Sequence, residues 1–199
     1  MTSPVDRLAM ALPTTWQLVE AIEPEHWARP TPCPEWTVRG VVNHLVVGHL
    51  LFTAALADGP TPSRDEMVAA LRTDRLGADP AGAYRSSADG LLAAFRTDGA
   101  LDRLVTVPVG TLPGVVACEL RVVEALVHGW DVARATGLPL SFPDDLVEES
   151  IGFSRMQLSR LPPGRTPFGP SQDVADDAPP LDRLAALLGR AVEGSPSGA

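Results

Sequence analysis

Lysine is absent from this chain of 199 residues, so all 16 of its basic residues are arginine. Set against 25 acidic residues they leave a formal net charge of -9, and no basic stripe runs through the sequence. Affinity for phosphate rests on clustered cations, so neither nucleic acid nor an anionic membrane is an expected partner. Cysteine is scarce as well. Cys33 and Cys118 are the only two, too few for a disulfide framework and without the paired spacing of a thiolate zinc site. Both are read as reduced, in keeping with a cytoplasmic protein. No run approaches the roughly 18 uninterrupted apolar residues that suggest a membrane span. The opening Met1-Thr-Ser-Pro-Val-Asp-Arg7 lacks the basic start, apolar stretch and small-residue cleavage site of a secretory signal. Also missing are a Gly-rich phosphate loop, a Gly-x-Ser-x-Gly elbow and a His-Glu-x-x-His motif. Nucleotide-driven enzymes, serine hydrolases of the common type and zincin proteases are thereby set aside.

What is present is helical periodicity. The length suits one domain with a full core, or one domain plus an appended segment. Residues 3–22 carry Val5, Leu8, Leu12, Leu18, Val19 and Ile22 at mostly helical spacing, although Pro13 is expected to kink or restart that helix. The proline-rich stretch 29–36 cannot be helical, and Thr37 then offers an N-cap for an apolar run over 38–56 that ends near Asp58-Gly-Pro60. A short element over 64–72 and a longer helix over 80–96 follow. Leu104 to Leu112 is rich in β-branched residues and predicts at most a small hairpin turning at Gly110. A core helix over 115–136 is stopped by Gly137 and Pro139. Further helices are expected over 144–161 and 181–190, with a loop over 162–180 between them. The tail 194–199 reads as disordered. Little strand signal and many helices favour an all-α bundle, in which the two most apolar helices, 38–56 and 115–136, should face each other.

Only four histidines exist, so each can be weighed. Glu124 and His128 are four residues apart on a helix, which sets both side chains on one face a turn apart. His44 lies among Val41, Val42, Leu45, Val46 and Val47, and an imidazole facing that interior needs a partner. One His, one Glu and one His from two facing helices can grip a divalent ion and leave a fourth position open, as in a catalytic zinc site. Nitrogen and oxygen donors equally admit nickel, iron or manganese. A satisfied polar pair without metal is the plainer reading of the same spacing. Asp131 shares the face of Glu124 and His128 and could orient a ligand imidazole or a substrate group. Arg134 could meet a substrate carboxylate, or be an exposed helical arginine. Trp130 is read as core or pocket wall. His49 stands about 140° around the helix from His44 and cannot readily share an ion with it. His26 is expected to face solvent. Cys33 and Cys118 are weak candidates for a nucleophile, since no histidine adjoins them in a Cys-His arrangement.

Two segments, Thr31-Pro-Cys-Pro-Glu-Trp-Thr-Val-Arg-Gly-Val-Val-Asn-His-Leu45 and Glu124-Ala-Leu-Val-His-Gly-Trp-Asp-Val-Ala-Arg-Ala-Thr-Gly137, resemble the actinobacterial metal-binding proteins related to mycothiol-dependent maleylpyruvate isomerase, within the DinB-like superfamily. Phe168-Gly-Pro and 178–190 resemble the C-terminal signature of a subgroup of that family. The resemblance implies a DinB-like four-helix bundle over residues 1–140, a helical extension over 141–192 and a disordered tail over 193–199. It also implies a metal, commonly zinc, on His44, Glu124 and His128, and mycothiol as cosubstrate. Asp131 and Arg134 would then bind or orient a small electrophile, and the chain would be a monomer or homodimer.

The expected function is a metal-dependent thiol transferase or isomerase. A metal-dependent hydrolase that uses bound water, and a binding or sensor protein without turnover, are the competing classes.

Overall fold

Most of the helices begin where a short polar side chain can take up amides that the first turn leaves without partners. Ser3 accepts from the amide of Asp6 ahead of Pro4–Glu20 (α1), Thr37 from Gly40 ahead of Val38–Leu56 (α2), and Asp79 from Gly82 ahead of Pro80–Phe95 (α4). Ser63 and Glu66 form a reciprocal capping box on Arg64–Leu71 (α3). Between α4 and the next helix an antiparallel hairpin pairs Leu104–Val107 (β1) with Gly110–Pro113 (β2). Gly114–Thr136 (α5) stops at Gly137, whose φ of 77° is left-handed. Asp144–Arg160 (α6) and Pro180–Leu187 (α7) complete the order. This is a computed structural model, and it describes residues 2–34, 36–57, 63–161 and 168–192.

Helices α1 and α2 are each flanked by α4 and α5, so the four close into a bundle. Leu8, Leu45, Leu91 and Leu126, one from each of these helices, are fully buried, and each such side chain contributes roughly 1.5–3 kcal/mol. The architecture is all-α with one small hairpin, as the sequence indicates, and α2 lies against α5. Helix α6 packs on α5 and α7, and α7 on α5. Leu146, Ile151, Leu184 and Leu188 join the same cluster of buried residues as the bundle. Arg7 of α1 adds ion pairs to Glu119 of α5 and Glu149 of α6.

Among the described residues α2 is the one helix long and apolar enough to cross a membrane. Its apolar character is accounted for by the bundle: Val38, Val41, Val42, Leu45 and Val46 are all buried there.

Two expectations need correction. α1 does not restart at Pro13 but continues through it as one helix. The Pro13 residue is exposed, and Ala9, whose carbonyl loses its partner one turn back, is only partly buried. The last helix ends at Leu187 rather than Arg190, because Gly189 turns the chain with a φ of 86°. The tail 193–199, the loop residues 162–167 and the Asp58-Gly-Pro60 stop lie outside the described residues.

Candidate metal centre

The segment before α2 is a compact turn in which the Thr31 hydroxyl bonds to the carbonyls of Cys33 and Trp36. It brings Trp36 over the first turns of α2, where its ring lies 4.4 Å from that of His44 and 5.5 Å from that of His128. α2 and α5 pack side by side, and their facing surfaces bring His44, Glu124 and His128 together. Oε2 of Glu124 is 2.8 Å from Nε2 of His44 and 3.3 Å from Nε2 of His128. One donor atom from each residue lies within 4.8 Å of the other two. Three donors that ring one point at about 2.0–2.2 Å are mutually about 3–4 Å apart, so this set fits a small divalent ion with only side-chain adjustment.

The two sides of the cluster differ. The side chains of His44 and Glu124 keep 23% and 20% of their accessible surface, while His128 keeps 4%. Access is therefore from the His44 and Glu124 side. On the buried side Nδ1 of His128 is 2.9 Å from Oδ2 of Asp131, which is itself fully buried. Arg190, from the turn after α7, meets that carboxylate with two nitrogens. Asp131 thus contacts a ligand candidate rather than the open side.

The charges respond to this packing. Burial alone would raise the Glu124 carboxyl, but hydrogen bonds from His128 and His44 outweigh it and hold the group well below the usual carboxylate range. Burial lowers His44, against the pull of Glu124. For His128, burial is outweighed by Asp131 and Glu124, which raise it above its ordinary value. Glu124 is thus an anionic donor at neutral pH.

Arg121 lies beneath the cluster, 2% exposed, with Nη1 3.9 Å from Oε2 of Glu124 and its guanidinium over the Phe52 ring. Gly48 makes room for it, since a Cβ there would meet Nη1 at 2.5 Å. Arg121, Arg190 and Trp36 were not singled out by sequence reasoning for this centre. Arg121 stands three residues before Glu124 and could have been found from that spacing; Arg190, distant in sequence, carries no such signal.

The remaining candidates lie elsewhere. Arg134 donates to Asp182 at 2.8 Å, Trp130 donates to the same oxygen at 2.6 Å, and both line a groove of about 560 Å³ with Leu138, Leu140 and Leu181. His49 is fully buried and bonds to Ser87 at 3.0 Å. His26 is half-buried in the turn Pro24–His26 rather than turned to solvent. Cys118 is fully buried, and burial pushes its thiol up to about 12, so it is no nucleophile at neutral pH.

The family model of the mycothiol maleylpyruvate isomerase N-terminal domain matches residues 8–133. The chain belongs to that family. The matched span contains His44, Glu124, His128 and Asp131, and ends before α6, α7 and Arg190. An uncharacterised protein of Mycobacterium tuberculosis strain H37Rv is 30% identical over 179 residues, covering 88% of this chain and 91% of the relative. A second uncharacterised protein of that strain is 32% identical over 139 residues, covering 61% of this chain and 51% of the relative. The crystal structure of the mycothiol-dependent maleylpyruvate isomerase is similar with a TM-score of 0.54 and 16% identity, over 74% of this chain and 70% of the enzyme. A histidine-to-alanine mutant of that isomerase gives the same TM-score at 18% identity. At such identities the likeness shows the fold of the mycothiol maleylpyruvate isomerase family.

Proposed function

We propose that the protein is a metal-dependent enzyme that uses mycothiol, activating this small thiol for transfer to, or isomerisation of, a small electrophile. The observation that carries this reading is the convergence of His44, Glu124 and His128 on one point within a family domain named for such chemistry. His44 and His128 would give neutral imidazole nitrogens and Glu124 one carboxylate oxygen. Bound there, a divalent ion such as zinc supplies a Lewis acid whose residual positive charge lowers the pKa of a thiol entering the open position.

This chain's own residues do the rest. Asp131 holds the His128 ring so that Nε2 faces the cluster. Arg121 keeps positive charge near Glu124 and favours its anionic form. Trp36 covers the rings of both histidines and shields one flank of the centre from water. The partial exposure of His44 and Glu124 leaves a way in for a thiol. The nucleophile in this reading is the external thiol, and the buried Cys118 thiol, which stays protonated, does not compete with it. Arg134 stands at the wall of the groove beyond, where an electrophile bearing a carboxylate would compete with Asp182 for it.

The test is a titration of the cobalt-substituted protein with mycothiol. A new thiolate-to-metal charge-transfer band is expected in the near ultraviolet, followed by consumption of thiol when an electrophile is supplied. A cobalt spectrum that does not change up to millimolar thiol would overturn the reading in favour of a hydrolase or a binding protein.

A further inference from the structure

We propose that Arg190, which lies outside the family domain, is a positioning residue for the metal centre: through Asp131 it fixes the ring of His128 with Nδ1 engaged and Nε2 presented to the ion. This rests on the reading of His44, Glu124 and His128 as ligands.

Asp131 is fully buried in the middle of α5. A carboxylate in that position is costly unless it is paired and its lone pairs are used. Arg190 meets it as a fork, with Nη2 3.0 Å from Oδ2 and Nε 3.3 Å from Oδ1. The same Oδ2 takes the contact from Nδ1 of His128. Held at two points by Arg190, the carboxylate keeps Oδ2 on Nδ1 of His128, and this leaves Nε2 as the ring nitrogen that faces the cluster. That Nε2 is the atom turned toward Glu124, at 3.3 Å.

Arg190 is itself held. It is 6% exposed, and its Nη1 donates to the carbonyl of Leu188 at 2.8 Å. Gly189 delivers it through a left-handed turn packed so closely on Gly169 that a Cβ would come within 2.8 Å of that backbone. Leu184, Ala185 and Ala186 of α7 are fully buried. The C-terminal segment therefore docks at a fixed register and delivers a guanidinium from 59 positions away in sequence to the back of the centre. A family domain that ends near residue 133 does not contain this part, so the extension completes the support of His128 in this chain.

A structural role alone would stabilise the docking of α7 without touching His128, and the experiment separates the two. Full-length wild type, Arg190→Met, Arg190→Lys, Asp131→Asn and the Arg190→Met, Asp131→Asn double variant are compared in zinc affinity by chelator competition. Asp182→Asn serves as the control, because it loosens the anchor of α7 at Trp130 and Arg134 and leaves Asp131 alone. Loss of a partner behind a ligand histidine typically weakens metal binding about 10–100-fold, and Arg190→Met is expected in that range, with Arg190→Lys between it and wild type. The double variant should bind no more weakly than Asp131→Asn, since both changes act on one chain of contacts. Asp182→Asn should lower thermal stability and leave zinc affinity unchanged.

A second readout needs no metal. Imidazole nitrogen spectra of the metal-free protein should show one sharp Nδ1 signal for His128, shifted by its Asp131 partner, in wild type, and a broadened or split signal in Arg190→Lys as the ring loses its fixed orientation. Wild-type zinc affinity in both Arg190 variants, or an unchanged His128 ring in Arg190→Lys, would overturn the proposal. If wild type holds no zinc, the metal reading itself fails, and the nitrogen spectra still decide whether Arg190 positions the ring.

Discussion

Nδ1 of His128 lies 2.9 Å from Oδ2 of Asp131, three residues further along α5, and this contact turns the other ring nitrogen toward Glu124. The buried carboxylate is in turn held by Arg190. Asp131→Asn should therefore act twice. Metal affinity should fall about 10–100-fold through the loosened ring, and the unpaired Arg190 should cost about 3–5 kcal/mol of stability. Chelator competition and urea unfolding measure the two effects separately. A variant with full stability and full affinity would contradict the buried network.

Gly48 sits inside α2, where alanine ordinarily stabilises a helix by about 1 kcal/mol. Here the sign should reverse. A Cβ would press on Nη1 of the buried Arg121 at 2.5 Å and on its Cζ at 2.9 Å, and overpacking of this kind costs about 1–3 kcal/mol. Gly48→Ala is expected to be destabilised in urea unfolding. A stabilised variant would show that the Arg121 guanidinium gives way to the added Cβ at little cost and is not fixed beneath the cluster.

The cysteines should be bystanders. The Cys118 thiol is raised from 9.0 to about 12 by burial, with Glu119 adding to the shift. A raised value favours the fold while pH is below the unfolded value, and that contribution is lost as pH climbs from about 9 through 12. Native Cys118 should thus resist iodoacetamide at about pH 8 and react only after unfolding, as mass spectrometry would read. Cys33→Ser and Cys118→Ser should both retain thiol-transfer activity. Loss of turnover in either, with the fold intact, would mean a protein cysteine takes part.

Much of the fold is legible because its signals are local. Thr37 caps α2 at the expected residue, and Gly137 ends α5 where glycine's freedom at positive φ is needed. The turn spacing of Glu124 and His128 and the apolar neighbours of His44 make these three residues candidates, and the resemblance of the two segments that contain them to one family joins them in a single site. The remainder depends on contacts between distant segments. Arg190 and Arg121 are ordinary arginines in sequence, and only packing shows one clamped on Asp131 and the other filling the space left by Gly48. Arg134 illustrates the reverse case: read as a candidate for a substrate carboxylate, it is paired with Asp182 on the segment that folds back over α5. The helix around Pro13 is legible from its periodicity, but its continuity through the proline is not, because the penalty depends on how the freed carbonyl is surrounded, which sequence does not state.

The central claim is that His44, Glu124 and His128 together hold one divalent ion. Its most direct test is the metal content, by mass spectrometry after zinc loading and desalting, of wild type, His44→Ala, His128→Ala and Glu124→Gln. About one zinc per chain is expected in wild type, with most of it lost in either histidine variant because two remaining ligands cannot outcompete water. Glu124→Gln should lose less, since an amide oxygen can still coordinate. Unchanged zinc in both histidine variants would contradict the account.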